Sequence, residues 1–304
     1  MVAISGRTRV YCVLGHPIGH TLSPAMHNAA LQALGLDGVY VAFDVTPREL
    51  TAAVRGLQAL GVGGVNCTIP HKEALLEIVD ELSEPARWIG AVNTLVFRDG
   101  RMEGHNTDAP GFLAALRAAG FDPAGRRIVV LGAGGSARAV VAALGRAARS
   151  IRIANRTPGR AEALVDQFRT GFAAAGGASL SLETVAWEGP ALAEAVQGAD
   201  LLVNTTSVGM APRVAEMPPV PAAAFHPGLL VYDLIYNPLE TRLLRIAREQ
   251  GARGCHGAGM LAHQGALALE LWTGCPAPAD RMEQVILESL SARKQERGRS
   301  VVNR

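Results

Sequence analysis

Four short segments in the first third of the chain are dense in hydroxyls and amides. They are His20-Thr21-Leu22-Ser23-Pro24, Asn66-Cys67-Thr68-Ile69-Pro70-His71-Lys72, Ala91-Val92-Asn93-Thr94 and Gly104-His105-Asn106-Thr107-Asp108. Such a set suits a small polyhydroxylated molecule held by neutral hydrogen bonds. Among them stand one lysine and one aspartate, Lys72 and Asp108. A carboxylate beside an ammonium keeps it charged and oriented, whereas desolvation lowers its pKa. Such a pair can deliver or accept a proton at a substrate oxygen. Lys72 reads as sitting at a helix start, where a cation opposes the helix dipole, so a purely structural role is disfavoured. Asp108 reads equally well as a helix N-cap, and capping does not exclude catalysis. The segments contain no Gly-x-Ser-x-Gly elbow and no metal-ligand cluster. Pro17 and Gly19 break any helix that could pair His16 with His20 on a metal. No metal is expected. His71 and His105 are expected to hydrogen-bond locally, and Cys67 to be a small buried filler.

A second constellation stands mid-chain. The apolar run Ile128-Val129-Val130-Leu131 leads directly into Gly132-Ala133-Gly134-Gly135-Ser136-Ala137, and a helix-like stretch follows over 136–148. Glycines there let the backbone turn sharply and approach a pyrophosphate, and the helix N-terminus offers free N–H groups. The next strand, residues 150–154, should end in an acid if the ligand were NAD. It ends instead in Asn155-Arg156-Thr157-Pro158-Gly159-Arg160. Guanidinium groups make forked, charge-assisted bonds to phosphate, which points to NADP(H) rather than NAD(H). The expected cofactor residues are Gly132, Gly134, Gly135, Ser136 and Ala137 in the turn, then Asn155, Arg156, Thr157 and Arg160 at the 2′-phosphate. Arg160 reads nearly as well as a solvated surface charge. The segment 204–210, at the end of a later strand, adds Thr205 and Ser207 to the cofactor wall.

The elements that must position these groups alternate between strand and helix, which indicates an α/β protein with parallel sheets. Strands are expected over 9–14, 39–45, 62–66, 128–131, 150–154, 199–204 and 229–235. A hairpin is expected over 92–105 around Asp99-Gly100. Helices are expected from Ser23 as N-cap and Pro24 to Leu34, from a capping box at Thr46 and Glu49 to Gly61, and from Pro70 to Asp80. Further helices are expected from Asp108 to Ala119 and over 240–250, 260–272 and 279–292. Residues 171–178 read as a loop, and the polar 293–304 as a frayed tail. A first α/β unit over 1–108 therefore precedes a Rossmann-type nucleotide unit over 109–259. Ligands of such sheets sit at the carboxyl ends of the strands, so the chemistry is expected in the crevice between the units.

At 304 residues the chain can hold two cores. Its 29 basic and 27 acidic residues leave a net charge of +2, which gives no general pull toward nucleic acid or an anionic membrane. The four cysteines lack paired spacing, which fits a reducing cytoplasm. No leader is visible, and the most apolar stretch, 128–144, is broken by glycines and Arg138, so no membrane span is expected.

Taken in order, the motifs amount to a family pattern. They are Thr21-Leu22-Ser23-Pro24-Ala25-Met26-His27-Asn28, residues 66–72, Gly90-Ala91-Val92-Asn93-Thr94, Asn106-Thr107-Asp108, residues 132–137, Asn155-Arg156-Thr157, residues 204–210, Tyr236-Asn237-Pro238, and Gly259-Met260-Leu261 with Gln264-Gly265-Ala266. The chain resembles the shikimate dehydrogenase family from end to end. That resemblance implies NADPH-dependent reduction of 3-dehydroshikimate to shikimate, in chorismate and aromatic amino-acid biosynthesis. It implies Lys72 and Asp108 as the catalytic pair, and Thr21 and Ser23 as the hydroxyls for a substrate carboxylate. Thr68, Asn93 and Gln264 would take ring hydroxyls with Tyr236 close by, and Gly259 and Met260 would neighbour the nicotinamide. It also implies that the last helices, 260–292, complete the first unit. The expected partner is the small-molecule substrate alone, on a monomer or homodimer. The family commonly has Ser where this chain has Thr21, whose extra methyl stiffens χ1. That departure keeps quinate open as a substrate, and the rival enzyme reading is a quinate or aminoshikimate dehydrogenase. A protein that senses NADP without catalysis is the alternative from another class.

Overall fold

The computed structural model describes residues 4–174 and 180–302. The chain divides into two compact units, residues 1–111 with 261–304, and residues 112–260.

The first unit begins with β1 (Arg9–Gly15), α1 (Ser23–Ala33), β2 (Gly38–Asp44), α2 (Leu50–Ala59), β3 (Gly64–Cys67) and the two-residue β4 (Glu81–Leu82). It continues with α3 (Glu84–Ile89), β5 (Thr94–Arg98) and β6 (Arg101–His105), and ends in the first turn of α4 (Asp108–Ala118), whose remainder belongs to the second unit. Its sheet has the order β2-β1-β3-β5-β6-β4. β1 runs parallel to β2 and β3, while β5 runs antiparallel to both β3 and β6. The β5–β6 hairpin turns on Asp99 and Gly100, both with positive φ (48° and 76°), the backbone that a two-residue hairpin turn requires. Leu14, Val65, Leu75, Leu95 and Met102 form the core on one sheet face.

The second unit contains β7 (Arg127–Leu131), α5 (Gly135–Leu144), β8 (Ser150–Ala154), α6 (Pro158–Ala174), β9 (Ser181–Val185), α7 (Pro190–Gln197), β10 (Leu201–Asn204), β11 (Leu230–Asp233), α8 (Arg242–Glu249) and β12 (Arg253–Cys255). All its strand pairs are parallel, in the order β12-β11-β10-β7-β8-β9. Its central strands β7, β10 and β11 are buried and accordingly read as nearly continuous apolar runs, whereas β8, β9 and β12 carry exposed polar residues. The chain then enters α9 (Ala258–Thr273) and α10 (Ala279–Val302). In the first unit, the Trp272 indole Nε1–H of α9 donates to the Leu95 carbonyl at 2.9 Å. A Cβ on Gly64 would lie 2.3 Å from that indole, so only glycine lets the ring settle on β3.

Several sequence expectations are corrected. No helix runs from Pro70 to Asp80; a single 3₁₀ turn covers Ala74–Glu77. The Lys72 carbonyl accepts from the Val92 backbone N–H at 2.8 Å, so it is not free to start a helical ladder. Ser23 is the first helical residue of α1 rather than its cap, which is Leu22. Thr46 bonds the Glu49 carboxylate at 2.8 Å, but α2 begins only at Leu50, after a turn. Asp108 is likewise inside α4, and the capping oxygen is Asn106 Oδ1, which accepts from Ala109 N at 3.2 Å. α6 runs to Ala174 across the start of the expected loop, whose residues 175–178 lie outside the described residues. α10 continues to Val302, because residues 291–302 contain no proline and several strong helix formers.

Candidate active site

In the first unit, Lys72 and Asp108 meet. Lys72 Nζ lies 2.6 Å from Asp108 Oδ2, with the two side chains 11% and 5% exposed. Lys72 reaches there from the turns after β3, and Asp108 from the first turn of α4. Because Asn106 caps α4, the Asp108 carboxylate is free of that duty. Its other oxygen accepts from Asn93 Nδ2 at 3.0 Å. The same amide group lies 2.9 Å from Thr107 Oγ1 and 3.3 Å from Gln264 Oε1. Gln264 comes from α9, and a Cβ on Gly111 would sit 2.7 Å from its backbone nitrogen, so α4 and α9 pack backbone to backbone here. The result is an ion pair flanked by two amides on largely buried side chains. An ion pair this enclosed is held far more rigidly than a surface pair.

Thr21 and Ser23 form a separate pair at the start of α1. Thr21 Oγ1 donates to Ser23 Oγ at 3.1 Å and accepts from Ser23 N at 3.2 Å. Ser23 is buried, and Thr21 half-buried. Thr68 follows β3, its backbone N–H bound to the Leu14 carbonyl at 2.9 Å. Its methyl lies where a Cβ on Gly15 would come within 2.6 Å, so Gly15 leaves the room that Thr68 fills. Three histidines of this unit are engaged in local bonds. His71 Nε2 lies 2.8 Å from the Val45 carbonyl, His105 Nε2 lies 3.2 Å from Glu103, and His16 lies 2.6 Å from Asp44. Burial lowers the pKa of His71 below that of a free imidazole. Burial also raises the thiol of Cys67, which makes it a filler rather than a nucleophile.

The second unit carries the other constellation. Gly132 has φ +112°, and a Cβ there would meet Thr205 Oγ1 at 2.4 Å. Thr205 Oγ1 donates to the Leu131 carbonyl at 2.7 Å, which ties the loop after β10 to the turn after β7. Gly134 is the N-cap of α5, no side chain caps that helix, and the space around the Gly134 Cα is open. Gly135, Ser136 and Ala137 form its first turn, whose N–H groups remain available to an anion. These residues fit a dinucleotide pyrophosphate. Asn155 donates to the Thr157 carbonyl at 2.8 Å, and Arg156 and Arg160 are exposed at the start of α6. Ser207 is half-buried in the loop after β10, and Tyr236 half-buried after β11. Gly259 is half-buried and Met260 buried in the first turn of α9.

One buried group in this unit escapes a sequence reading. Asp233 ends β11 and is fully buried. It accepts from Asn204 Nδ2, Thr241 Oγ1 and Ile235 N at 2.9, 2.7 and 3.1 Å. Burial pushes its carboxyl up to about 6 against those three donors. The only sequence signal was a lone acid at the end of an apolar strand.

A doubly wound, glycine-turned nucleotide unit joined to a unit bearing a buried Lys–Asp pair defines a two-unit α/β dehydrogenase. Family models match along the chain: the shikimate dehydrogenase substrate binding domain over residues 13–95, shikimate/quinate 5-dehydrogenase over 114–210, and the shikimate 5′-dehydrogenase C-terminal domain over 257–287. The NADP(+) shikimate dehydrogenase of Moorella thermoacetica is 50% identical over 294 residues, covering 96% of this chain and 97% of that protein. A crystal structure of a shikimate dehydrogenase in complex with NADP+ matches with a TM-score of 0.86 at 39% identity, covering 95% of this chain and 98% of that one. The Thermus thermophilus shikimate 5-dehydrogenase in complex with NADP(H) and shikimate matches with a TM-score of 0.81 at 41% identity, covering 93% and 100%. The chain belongs to the shikimate dehydrogenase family.

Proposed function

We propose that the protein catalyses the reversible, NADPH-dependent reduction of 3-dehydroshikimate to shikimate. The observation that carries this reading is the enclosed Lys72–Asp108 pair at 2.6 Å, with the Asn93 and Gln264 amides beside it. NADPH, when bound, supplies the hydride that adds to the ketone carbon. Lys72 gives the proton that the ketone oxygen takes up, and accepts it in the reverse direction. Asp108 holds the Lys72 ammonium in place and accepts a bond from a substrate hydroxyl. Asn93, Gln264 and Thr68 take ring hydroxyls, with Tyr236 as a further ligand. Thr21 and Ser23 take the carboxylate with two adjacent hydroxyls. Arg156 takes the 2′-phosphate, assisted by Arg160, Asn155 and Thr157. Thr205, Ser207, Gly259 and Met260 complete the cofactor contacts. The four free cysteines support a reducing, cytoplasmic setting, and no helix among the described residues is long and apolar enough to cross a membrane.

The test is an absorbance assay at the nicotinamide band, with shikimate or quinate paired with NADP+ or NAD+. Shikimate with NADP+ is expected to give the highest kcat/KM of the four. No reduction with shikimate, or a preference for quinate with NAD+, would overturn the proposal.

A further inference from the structure

Behind the Lys72–Asp108 pair the first unit contains a buried polar chain with a fixed direction. Two backbone groups set it. The Thr107 N–H can only donate, and it bonds Asn93 Oδ1 at 2.8 Å, so the Asn93 amino group must face Asp108. The Asn93 carbonyl can only accept, and it lies 3.2 Å from Asn66 Nδ2, so the Asn66 oxygen must face away from β5. That oxygen accepts from the Tyr40 hydroxyl at 2.8 Å. Asn66 Nδ2 also donates to Thr94 Oγ1 at 3.1 Å, and Thr94 Oγ1 donates onward to Asn93 Oδ1 at 3.0 Å. The Tyr40 hydroxyl and the amide donors therefore point toward the site, Tyr40 to Asn66, Asn66 to Thr94 and Asn93 to Asp108, and the Thr94 hydroxyl bridges Asn66 to Asn93 while also lying 3.2 Å from Thr107 Oγ1.

The sheet register makes this chain possible, because Asn66 of β3 lies opposite Thr94 of β5. Its far end is held as firmly as its near end. Asn28 of α1 clamps the Tyr40 backbone with two bonds of 2.8 Å, and the His27 ring stacks on the Tyr40 ring with centroids 4.0 Å apart. Tyr40, Asn66, Thr94, Thr107 and Asn93 are all at most 6% exposed. Hydrogen bonds aligned head to tail in such a medium polarise one another and resist rotation. Burial raises the Tyr40 hydroxyl and lowers the His27 imidazole to about 3, so Tyr40 remains a donor and His27 neutral.

We infer that Thr94 and Tyr40 are positioning residues for the reaction: through Asn66 and Asn93 they fix the donor face presented to Asp108 and to the substrate hydroxyl. This rests on the Lys72–Asp108 assignment above. The experiment compares Thr94→Val, Thr94→Ser and Tyr40→Phe with the wild-type enzyme. Thr94→Val removes the relay hydroxyl at almost constant volume and is expected to lower kcat/KM for shikimate about tenfold, the effect of one buried hydrogen bond. The KM for NADP+ should stay unchanged, Thr94→Ser should recover most of the loss, and Tyr40→Phe should cost about threefold. A structural role alone would lower the melting temperature without splitting the two Michaelis constants. Wild-type kinetics in Thr94→Val, or a Thr94→Ser variant as impaired as Thr94→Val, would overturn the inference. A second measurement needs no substrate. Tyr40→Phe and Asp108→Asn lie at opposite ends of the chain, so their losses in melting temperature should add unless the chain couples them. Non-additive losses support the inference and additive losses refute it, whichever substrate the wild-type enzyme prefers.

Discussion

Replacing Lys72 with Ala separates what the ion pair does for stability from what it does for chemistry. Lys72 and Asp108 are 11% and 5% exposed, with Nζ and Oδ2 2.6 Å apart, so this is not a screened surface pair of about 0–1 kcal/mol. Removing the lysine leaves Asp108 buried, with the Asn93 amide as its remaining side-chain partner. Breaking one side of such a pair costs about 3–5 kcal/mol. For a chain of 304 residues, with an unfolding entropy of about 2.1 cal/mol/K per residue, that is a fall in Tm of roughly 5–8 °C. Turnover should fall by about 10²-fold or more if Lys72 is the proton donor proposed above, while NADPH binding is largely kept. The double variant Lys72→Ala/Asp108→Ala removes both charges, so the uncompensated carboxylate disappears and much of the lost Tm returns. Its turnover should be no better than that of Lys72→Ala. The measurements are calorimetric melting of the four proteins of the cycle and steady-state kinetics with shikimate and NADP+. Unchanged turnover in Lys72→Ala would refute the catalytic role. A double variant as destabilised as the sum of the two singles would refute the electrostatic account.

Three further outcomes are expected. Arg156→Ala should raise KM for NADPH and much less that for NADH; equal effects would show that Arg156 does not read the 2′-phosphate. Gly132→Ala places a Cβ 2.4 Å from Thr205 Oγ1 at φ +112°, and should weaken NADPH binding, read by nicotinamide fluorescence quenching, at least tenfold. Asp233 titrates at about 6 in the fold against an ordinary carboxylate value near 4, so the folded state binds the extra proton. Its contribution favours the fold below pH 4 and is lost as pH rises through 6, by about 3 kcal/mol at most. Urea unfolding from pH 4 to 7 should therefore show a flatter high-pH loss in Asp233→Asn than in wild type, and parallel curves would contradict this.

The strands were the most legible elements, because apolar runs bounded by Gly, Pro and Asn mark them locally. The hairpin at Asp99-Gly100 and the strand of residues 150–154 are of this kind. What sequence could not supply was set by partners far along the chain. The expected helix after Pro70 fails because Val92 takes the Lys72 carbonyl, and Asp108 is released from capping because Asn106 takes that role. Short elements such as β4, α3, β9 and α7 left no periodic trace. In the site, residue type alone singles out Lys72 and Asp108. The Asn93–Gln264 contact joins residues 171 positions apart, and no local pattern foretells it. The direction of the Tyr40-to-Asp108 chain depends on two backbone groups and is invisible until register is known.

The first unit is completed by residues that follow the second, and this orders events during synthesis. Residues 1–111 leave the ribosome first, but Gln264 and Trp272 emerge only after the 149 residues of the second unit. At about 5–20 residues per second that interval is about 7–30 s. Throughout it the Leu95 carbonyl lacks its indole donor, the groove over Gly64 stands open, and the Asn93 amide lacks Gln264. The nascent chain thus holds a finished nucleotide unit before it holds a finished substrate site. Truncation within α9 should consequently yield a protein that still binds NADPH but exposes apolar surface on the first sheet.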